Sequence, residues 1–353
     1  MHSPPAPAPP NSAARIQEMI DGLAGARAEV LPSAFWITLN KRNTEQLNDG
    51  PGYDYFKQTV ARNYYTWVVS PRKDPQTLFL MRSLPGATVA GCVLSALLSA
   101  RHRYFRRWRH SFNYNLLTHL LWEYVSRLDQ RGELARLPEP MEGNPPQVYR
   151  HGRLISQDIC HSFMEYNAIA AHADLSQARS VIELGAGYGR TAYLICKLAP
   201  AVRYFVVDIP PALYISERYL SNQFAERRIF RYRPFADYAE VRAEIEAANL
   251  IFLLPSQLEL LPAGVCDLFI NISSLHEMKP AAISYYFAEV DRLTRRYFYF
   301  KQWKTWTNPE DHLVIGERDY PVNCRWRKIF WRECAVQTRF FEAMFALGEG
   351  EPA

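Results

Sequence analysis

The sequence predicts an α/β protein in which a helical region precedes a mostly parallel β-sheet covered by helices. After residue 150, short apolar runs alternate with helical stretches, which is typical of β-α-β units and a parallel sheet. Residues 30–145 show helical patterns broken by Pro and Gly, without the period-two alternation of strands. The Pro- and Gly-rich segment 137–147 between these regions is typical of a linker.

Length and charge define the expected organisation. The 353 residues suffice for one large or two ordinary domains. We expect a disordered Pro/Ala-rich tail over residues 1–12, a helical domain over 13–148 for substrate recognition or dimerisation, and a ligand-binding domain over 149–353. The net charge of +5 fits an anionic substrate but is too small for a nucleic-acid-binding surface, so no nucleic-acid partner is expected.

Cysteine usage and hydropathy indicate a cytoplasmic protein without a membrane span. The six cysteines form no C-x-x-C pair and no zinc-type cluster, so we expect reduced thiols. The N-terminus lacks the charged start and apolar run of a signal peptide. The apolar run 87–100 is too short to cross a bilayer, and it favours a buried helix.

The N-terminal helices are predicted at 11–25, 53–69, 89–109 and 113–130. Within them, residues 101–110 are rich in Arg with interleaved aromatic side chains. Such a run is most often a solvated helix face whose aromatic residues pack inward. The alternatives are contact with a polyanion, RNA included, or with a membrane surface.

The predicted strands after the linker are 180–184, 204–207, 250–254, 268–272 and 297–300. The predicted helices between them are 156–171, 191–198, 212–224 and 281–294. Two β-rich stretches follow within residues 326–345 and could form an antiparallel edge of the sheet.

A glycine-rich motif joins the first of these strands to a helix. Its residues are Glu183, Gly185, Ala186, Gly187 and Gly189. Glycines allow a sharp turn and the close approach of a ligand. A dinucleotide fingerprint would require Gly at position 190, where this chain has Arg190, so no pyrophosphate site is specified. An acid before the glycines suits a cationic amino-acid group instead.

A second carboxylate, Asp208, follows the next predicted strand beside Ile209. In nucleoside-binding α/β sheets a carboxylate here accepts hydrogen bonds from ribose hydroxyls. The alternative role is a helix N-cap ahead of Pro210. Together with Glu183 and the glycines, Asp208 predicts a binding site for S-adenosylmethionine, and therefore a methyltransferase.

Further donor contacts are predicted after later strands. Ser256 or Gln257 could lie near the adenine, although a simple polar turn explains them equally well. Asn271 ends the fourth strand at the edge where ligands bind. Arg153 could pair with the donor's carboxylate, the alternative being a helix start with Ser156 as N-cap.

His276 and Glu277 are the predicted catalytic pair. His276 is the natural general base, because imidazole titrates near neutral pH. Glu277 could orient it, act as the base itself, or bind a substrate hydroxyl. The alternative is that both residues only cap or solvate the next helix. Asp267, Asn271 and Glu277 could also offer oxygen ligands to a cation, but their spacing is not diagnostic and we predict no metal.

Acceptor-binding residues are predicted at Lys301, Trp303, Lys304 and Trp306. Trp faces can stack on sugar rings, and Lys can pair with phosphate or carboxylate. Core packing at a sheet edge is the alternative for each Trp.

Residues 152–345 resemble the bacterial sugar O-methyltransferases, a class I S-adenosylmethionine-dependent family. The residues that carry the resemblance lie at 152–158, 183–190, 271–278 and 301–303. The resemblance implies a Rossmann-like fold with a mostly parallel seven-stranded sheet, and methylation of a hydroxyl on a sugar or glycosylated metabolite.

Two alternatives stay open: a methyltransferase for a phenolic, polyketide or amine acceptor, and a catalytically degenerate binding module. The N-terminal half shows no family resemblance and could support a homodimer.

Overall fold

The computed structural model describes residues 12–64, 75–99 and 108–347, arranged around an eight-stranded β-sheet. The strands are β1 (Val148–Arg150), β2 (Arg153–Ile155), β3 (Ser180–Leu184), β4 (Arg203–Val207), β5 (Ile229–Phe230), β6 (Leu250–Leu253), β7 (Cys266–Ile272), β8 (Thr294–Trp303), β9 (Thr305–Thr307), β10 (Val314–Gly316), β11 (Arg327–Glu333) and β12 (Phe340–Ala346). The first six helices are α1 (Ser12–Ala24), α2 (Ala34–Asn48), α3 (Val60–Tyr64), α4 (Pro75–Ser83), α5 (Gly86–Ser99) and α6 (Trp108–Leu128). The remaining helices are α7 (Gln157–Ala170), α8 (Arg190–Leu198), α9 (Ala212–Gln223), α10 (Tyr238–Ala247) and α11 (Pro280–Leu293).

The helical character predicted for the N-terminal region is confirmed where the structure describes it. Up to residue 128, all regular elements within the described ranges are helices. The predicted tail, apart from Ser12, lies outside the described residues, and so do residues 101–107 of the Arg-rich run. Residues 65–69, the last part of the helix predicted at 53–69, also lie outside the described residues.

The large sheet has the order β11-β12-β8-β7-β3-β4-β6-β5. Strands β5, β6, β4, β3, β7 and β8 run parallel, and β12 is antiparallel to both of its neighbours. The chain therefore winds outward from β3 in one direction and then returns to build the other half. This is the Rossmann-like, doubly wound arrangement, whose ligand crevice lies where the winding reverses, between β3 and β7.

The prediction of seven strands is corrected to eight. The additional strand, β5, has only two residues, which are too few to produce a periodic pattern. Strand β8 also continues past the predicted aromatic run, so Lys301 and Trp303 belong to the strand and not to a following loop. Trp306 lies in β9, which forms a small hairpin with β10 that we did not predict.

The sheet separates two hydrophobic cores because successive side chains of a strand point to opposite faces. In β3, Val181 belongs to one core, and Ile182 and Leu184 belong to the other. The core that contains Val181 continues without a break into the N-terminal helices, through residues such as Met19 and Leu120. The division at residue 148 stays a prediction, because helices and sheet are packed together across it.

The predicted linker 137–147 is also packed against the rest of the chain. Leu137 and Glu139 are buried. Glu139 pairs with the buried Lys57 and accepts a hydrogen bond from Ser156 Oγ at 2.5 Å. Burial raises the pKa of Glu139 most, the ammonium of Lys57 opposes this, and the net direction is upward. An ion pair this deep is strongly destabilising to break, so the segment fastens the N-terminal region at Lys57 to the start of α7 at Ser156.

Candidate functional site

The glycine bend lies at the carboxyl end of β3, as predicted. Gly185, Gly187 and Gly189 have φ angles of 74°, 60° and 88°, in the left-handed region that favours glycine. A Cβ on Gly185 would overlap Ser274, so the bend lies directly against the loop that follows β7. A Cβ on Gly187 would meet no protein atom within 4 Å. The backbone at Gly187 is therefore open for the approach of a ligand.

A cavity of about 310 Å³ opens beside this bend. It lies at the carboxyl ends of the central parallel strands, where open α/β sheets bind ligands. Its volume is within the range of small-molecule sites. Its lining includes six predicted donor-binding residues and one predicted catalytic residue: Glu183, Gly185, Ala186, Gly187, Asp208, Ile209 and Glu277.

Asp208 lines the cavity and contacts the bend directly. Its Oδ2 accepts a hydrogen bond from Gly187 N at 2.6 Å, and its Oδ1 accepts one from Ile209 N at 2.7 Å. Burial raises the pKa of Asp208 to about 7, and the nearby Glu277 adds to the rise while both amides oppose it. A carboxylate held between two backbone amides has a fixed direction, and it retains capacity to accept further hydrogen bonds.

Glu183, the last residue but one of β3, is buried beneath the bend. Tyr204 donates its hydroxyl to Glu183 Oε2 at 2.8 Å. Burial raises the pKa of Glu183 to about 7, against the lowering effects of Tyr204 and Arg190. The cavity lining therefore includes two buried acids, Glu183 and Asp208, close to the glycine bend.

The roof of the cavity comes from a segment that sequence reasoning missed. Residues 28–33, between α1 and α2, line the cavity together with Trp36. Helix α1 is anchored next to the sheet because Arg15 bonds to Glu217 and to the carbonyl oxygen of Tyr232. The amphipathic pattern of α1 predicts a buried face but not the element that it packs on.

Glu277 and His276 follow β7 in a short 3-10 helix. Glu277 lines the cavity, whereas His276 is fully buried behind it. His276 Nε2 lies 3.6 Å from Glu277 Oε1. His276 Nε2 and Glu277 Oε2 are both buried and have no hydrogen-bond partner among the described residues. Glu277 is the member of the pair that lines the cavity.

A buried amide network holds this pair in place. Gln302 Oε1 lies 2.8 Å from His276 Nδ1, and Gln302 Nε2 donates to Asn271 Oδ1 at 2.6 Å. Asn271 in turn donates to Leu184 O at 2.9 Å and to Ser274 Oγ at 2.7 Å. Because an amide oxygen only accepts, His276 Nδ1 is the donor to Gln302, and Nε2 is the ring nitrogen that lies toward Glu277. Gln302 was not predicted, because a polar residue within an aromatic strand gave no signal of a role.

Other predicted donor-binding residues lie outside the cavity lining. Asn271 is used entirely in the network above. Gln257 caps its own 3-10 helix through Leu254 N, and Ser256 precedes it there, while the neighbouring Pro255 does line the cavity. Arg153 donates to Leu134 O at 3.2 Å. Gly189 packs under Leu220 as the helix begins.

The four predicted acceptor-binding residues also lie outside the lining. Lys301 is buried and donates to Glu165 at 2.9 Å and to Gln337 at 2.5 Å. Trp303 packs on Phe340, and Lys304 pairs with Glu333. Trp306 contacts Phe35 and the His276 ring, with the ring centroids 5.4 Å apart in the second case. Strand β8 runs through Lys301 to Trp303, so these two residues belong to the sheet and not to a loop over the cavity.

Glu165 joins the glycine bend to β8. It accepts hydrogen bonds from Arg190, the residue after the bend, at 2.6 Å, and from Lys301 at 2.9 Å. Burial raises the pKa of Glu165, but the two cations outweigh burial and lower it to about 2. Because Arg190 is held by this carboxylate, it is not available as an anion-binding group.

Within the described ranges, no group of three or more His, Cys, Asp or Glu side chains is placed to hold a metal ion. Asp267, a candidate oxygen ligand in the sequence, pairs with Arg295 and accepts the amide of Arg179. All six cysteines are free thiols, and Cys324 alone among them is exposed. No helix of the described chain is long and apolar enough to cross a membrane.

Comparison with known proteins finds no matching family model and no matching curated protein. Solved structures do match. An S-adenosylmethionine-dependent methyltransferase from Aquifex aeolicus is 11% identical, with 64% of this chain and 97% of that chain covered and a TM-score of 0.33. Magnesium protoporphyrin IX methyltransferase from Synechocystis PCC 6803, with bound donor, is 13% identical, with 54% and 83% covered and a TM-score of 0.35.

The mitomycin 7-O-methyltransferase is 11% identical, with 79% of this chain and 72% of that chain covered and a TM-score of 0.35. At these identities and scores, the fold assignment rests on the strand order of the sheet, and the functional assignment rests on the site.

Proposed function

We propose that this chain is an S-adenosylmethionine-dependent O-methyltransferase. The observation that carries the proposal is the glycine bend, which opens into a cavity between two buried acids, Glu183 and Asp208. The lining has four acids, Glu29, Glu183, Asp208 and Glu277, which would repel a pyrophosphate. Its two basic residues are Lys279 and Arg190, and Arg190 is engaged by Glu165. A nucleoside that carries a positive charge would instead be attracted by the carboxylates of Glu183 and Asp208.

The cavity residues suit the parts of this donor. Asp208 would accept the ribose hydroxyls, since its carboxylate is held in a fixed direction by Gly187 and Ile209. Glu183, which also lines the cavity, would meet the ammonium group. Apolar side chains such as Ile209 and Ala282 line the cavity and suit a flat base. When bound, S-adenosylmethionine supplies an electrophilic methyl group on a sulfonium.

Glu277 is our candidate for the general base. A hydroxyl acceptor has a pKa far above neutral, so a positioned base assists its attack. The sequence favoured His276 in this role, but His276 is fully buried and outside the cavity lining. Glu277 lines the cavity, and it is the only one of the two predicted catalytic residues that does. We therefore assign proton removal to Glu277 and the positioning of that carboxylate to His276.

A sugar or glycosylated metabolite is the acceptor class that we propose. The roof brings Trp36 to the cavity, and a Trp face can stack on a sugar ring. Trp36 thus takes the place that the sequence assigned to Trp303 and Trp306. The roof and Glu277 together would present one hydroxyl to the donor while excluding water.

Isothermal titration of the full chain with S-adenosylmethionine tests the proposal. We expect one site per chain and weaker binding in Asp208→Asn. Absence of binding by folded protein would refute the donor assignment.

A screen with labelled donor against sugars and phenols tests the acceptor class. We expect methylated sugars, and labelling of phenols alone would replace the sugar by a phenolic acceptor.

Turnover of Glu277→Gln tests the base assignment. We expect a loss of about 10²–10⁴ in kcat, the usual contribution of a general base, with donor affinity retained. Glu259→Gln is the matched control, because Glu259 is exposed and outside the cavity lining. Normal kcat in Glu277→Gln would remove the base role.

A further inference from the structure

The helical layer α4–α6 exposes an apolar surface that the proposed function does not use. Half of the exposed large apolar side chains of the described protein lie on these three helices: Leu78, Met81, Leu94, Leu97, Leu98, Trp108 and Leu128. Monomeric soluble proteins rarely expose apolar side chains in such concentration, and a patch of this kind marks an interaction surface.

Helix α5 is the centre of this surface. Its fourteen residues, GATVAGCVLSALLS, contain no charged side chain. Its exposed residues, Ala87, Ala90, Leu94, Leu97 and Leu98, follow helical spacing and form one apolar stripe. Leu94 and Leu98 are 58% and 59% exposed. The opposite side of α5 packs on the protein through Cys92 and Ala96.

Trp108 lies near the same end of the layer as the exposed leucines. Arg127, late in α6, donates to Thr88, early in α5, at 3.2 Å. The two helices are therefore antiparallel neighbours, and the end of α5 lies near the start of α6. Trp108 begins α6, is 45% exposed and stacks on Phe112. The surface comprising Leu94, Leu97, Leu98 and Trp108 is called the α5 face below.

The charge around the α5 face is of one sign. Helices α4, α5 and α6 carry three arginines among their described residues, Arg82, Arg109 and Arg127, and all three are exposed. The described residues of these helices include a single acid, Glu123, which is paired with Arg150.

We propose that the α5 face docks the protein on an anionic lipid bilayer. Exposed leucines and a Trp suit the boundary between headgroups and acyl chains, and arginines suit anionic headgroups. A second copy of the chain is disfavoured as the occupant, because a symmetric contact would bring the exposed Arg82, Arg109 and Arg127 of both copies together without acids to pair them. The protein binds the surface of the bilayer without crossing it.

Vesicle co-sedimentation of the full chain tests this inference. The probes are vesicles of phosphatidylcholine alone and of phosphatidylcholine with roughly 30 mol % phosphatidylglycerol. We expect binding only to the anionic vesicles, and weaker binding as salt screens the arginines. Arg82→Gln and Arg109→Gln should each weaken binding about fivefold, as expected for one charge near such a surface.

The triple variant Leu94→Ser/Leu97→Ser/Leu98→Ser should weaken binding at least about tenfold through lost apolar burial. Ile37→Ser is the matched control, because Ile37 is 62% exposed on α2, away from this face. Thermal unfolding checks that each variant is folded. Equal binding to neutral and anionic vesicles, or no binding at low salt, would overturn the proposal. So would a wild-type dimer that the triple variant abolishes.

Discussion

Replacement of Glu165 by Gln tests the idea that a buried ion pair holds the glycine bend to β8. The carboxylate is 2% exposed and contacts both Arg190 and Lys301. Its pKa falls from 4.5 to about 2, despite the opposing effect of burial, because of these two cations. A change of this size corresponds to about 3 kcal/mol of stability at neutral pH. Gln preserves the shape of the side chain but leaves two cations buried without a counter-charge.

Urea denaturation at neutral pH measures the effect. We expect Glu165→Gln to lose about 3 kcal/mol of unfolding free energy, within the range for breaking a buried pair. Glu333→Gln is the matched control, because the pair of Glu333 with Lys304 is largely exposed and should contribute below about 1 kcal/mol.

The pH dependence gives a second check on the same variant. A carboxyl whose pKa is lowered by folding stabilises the protein above its unfolded pKa, 4.5 here, and loses that effect as the pH falls through about 2. The difference between wild type and Glu165→Gln should therefore shrink over that window. A loss below about 1 kcal/mol at neutral pH, or a difference that does not change on acidification, would refute the reasoning.

Three further predictions concern the cavity. Gly187→Ala should cost only about 1 kcal/mol from the positive φ but should weaken donor binding, since its Cβ enters open space beside Asp208. Gly189→Ala should lower the free energy of unfolding more than Gly187→Ala does, because its Cβ would lie 2.8 Å from Leu220. Titration with donor compares the binding affinities of the two variants, and urea unfolding compares their stabilities. Affinity for 5′-methylthioadenosine, which has the ribose without the amino acid, should rise about tenfold between about pH 6 and 8, as Asp208 with its pKa near 7 ionises. Asp208→Asn should abolish that rise. Trp36→Ala should raise the acceptor KM and leave donor affinity unchanged.

The parts of the fold predicted from the sequence are those set by local patterns. Strand β3 is five buried residues followed at once by the glycine bend, so both its burial and its end are visible in a short window. Asp208 follows the next strand in the same way. Parallel strands bring their carboxyl ends to one edge, so the meeting of these residues also followed from the α/β pattern.

The parts that could not be predicted depend on contacts distant in the sequence. Lys301 looked available for an acceptor, but its charge is neutralised by Glu165, 136 residues earlier. The cavity roof at residues 28–33 belongs to the helical region, where the amphipathic pattern of α1 indicates which face of that helix is buried but not which element it packs against. The importance of Gln302 becomes visible only when β8 is placed beside β7, where it reaches His276 and Asn271.

The network that joins Asn271, Gln302 and His276 bears on where acceptor specificity can arise. These side chains are buried, and each bonds to a neighbouring strand or loop, so replacing one would leave buried polar groups unpaired. The wall of the cavity at Ser274 and Glu277 is thus constrained by the stability of the sheet. The roof is constrained less, since residues 28–33 take no part in this network and two of them, Ala28 and Leu31, are exposed. Changes at residues 28–33 can therefore alter which acceptor fits while the donor side of the site is preserved.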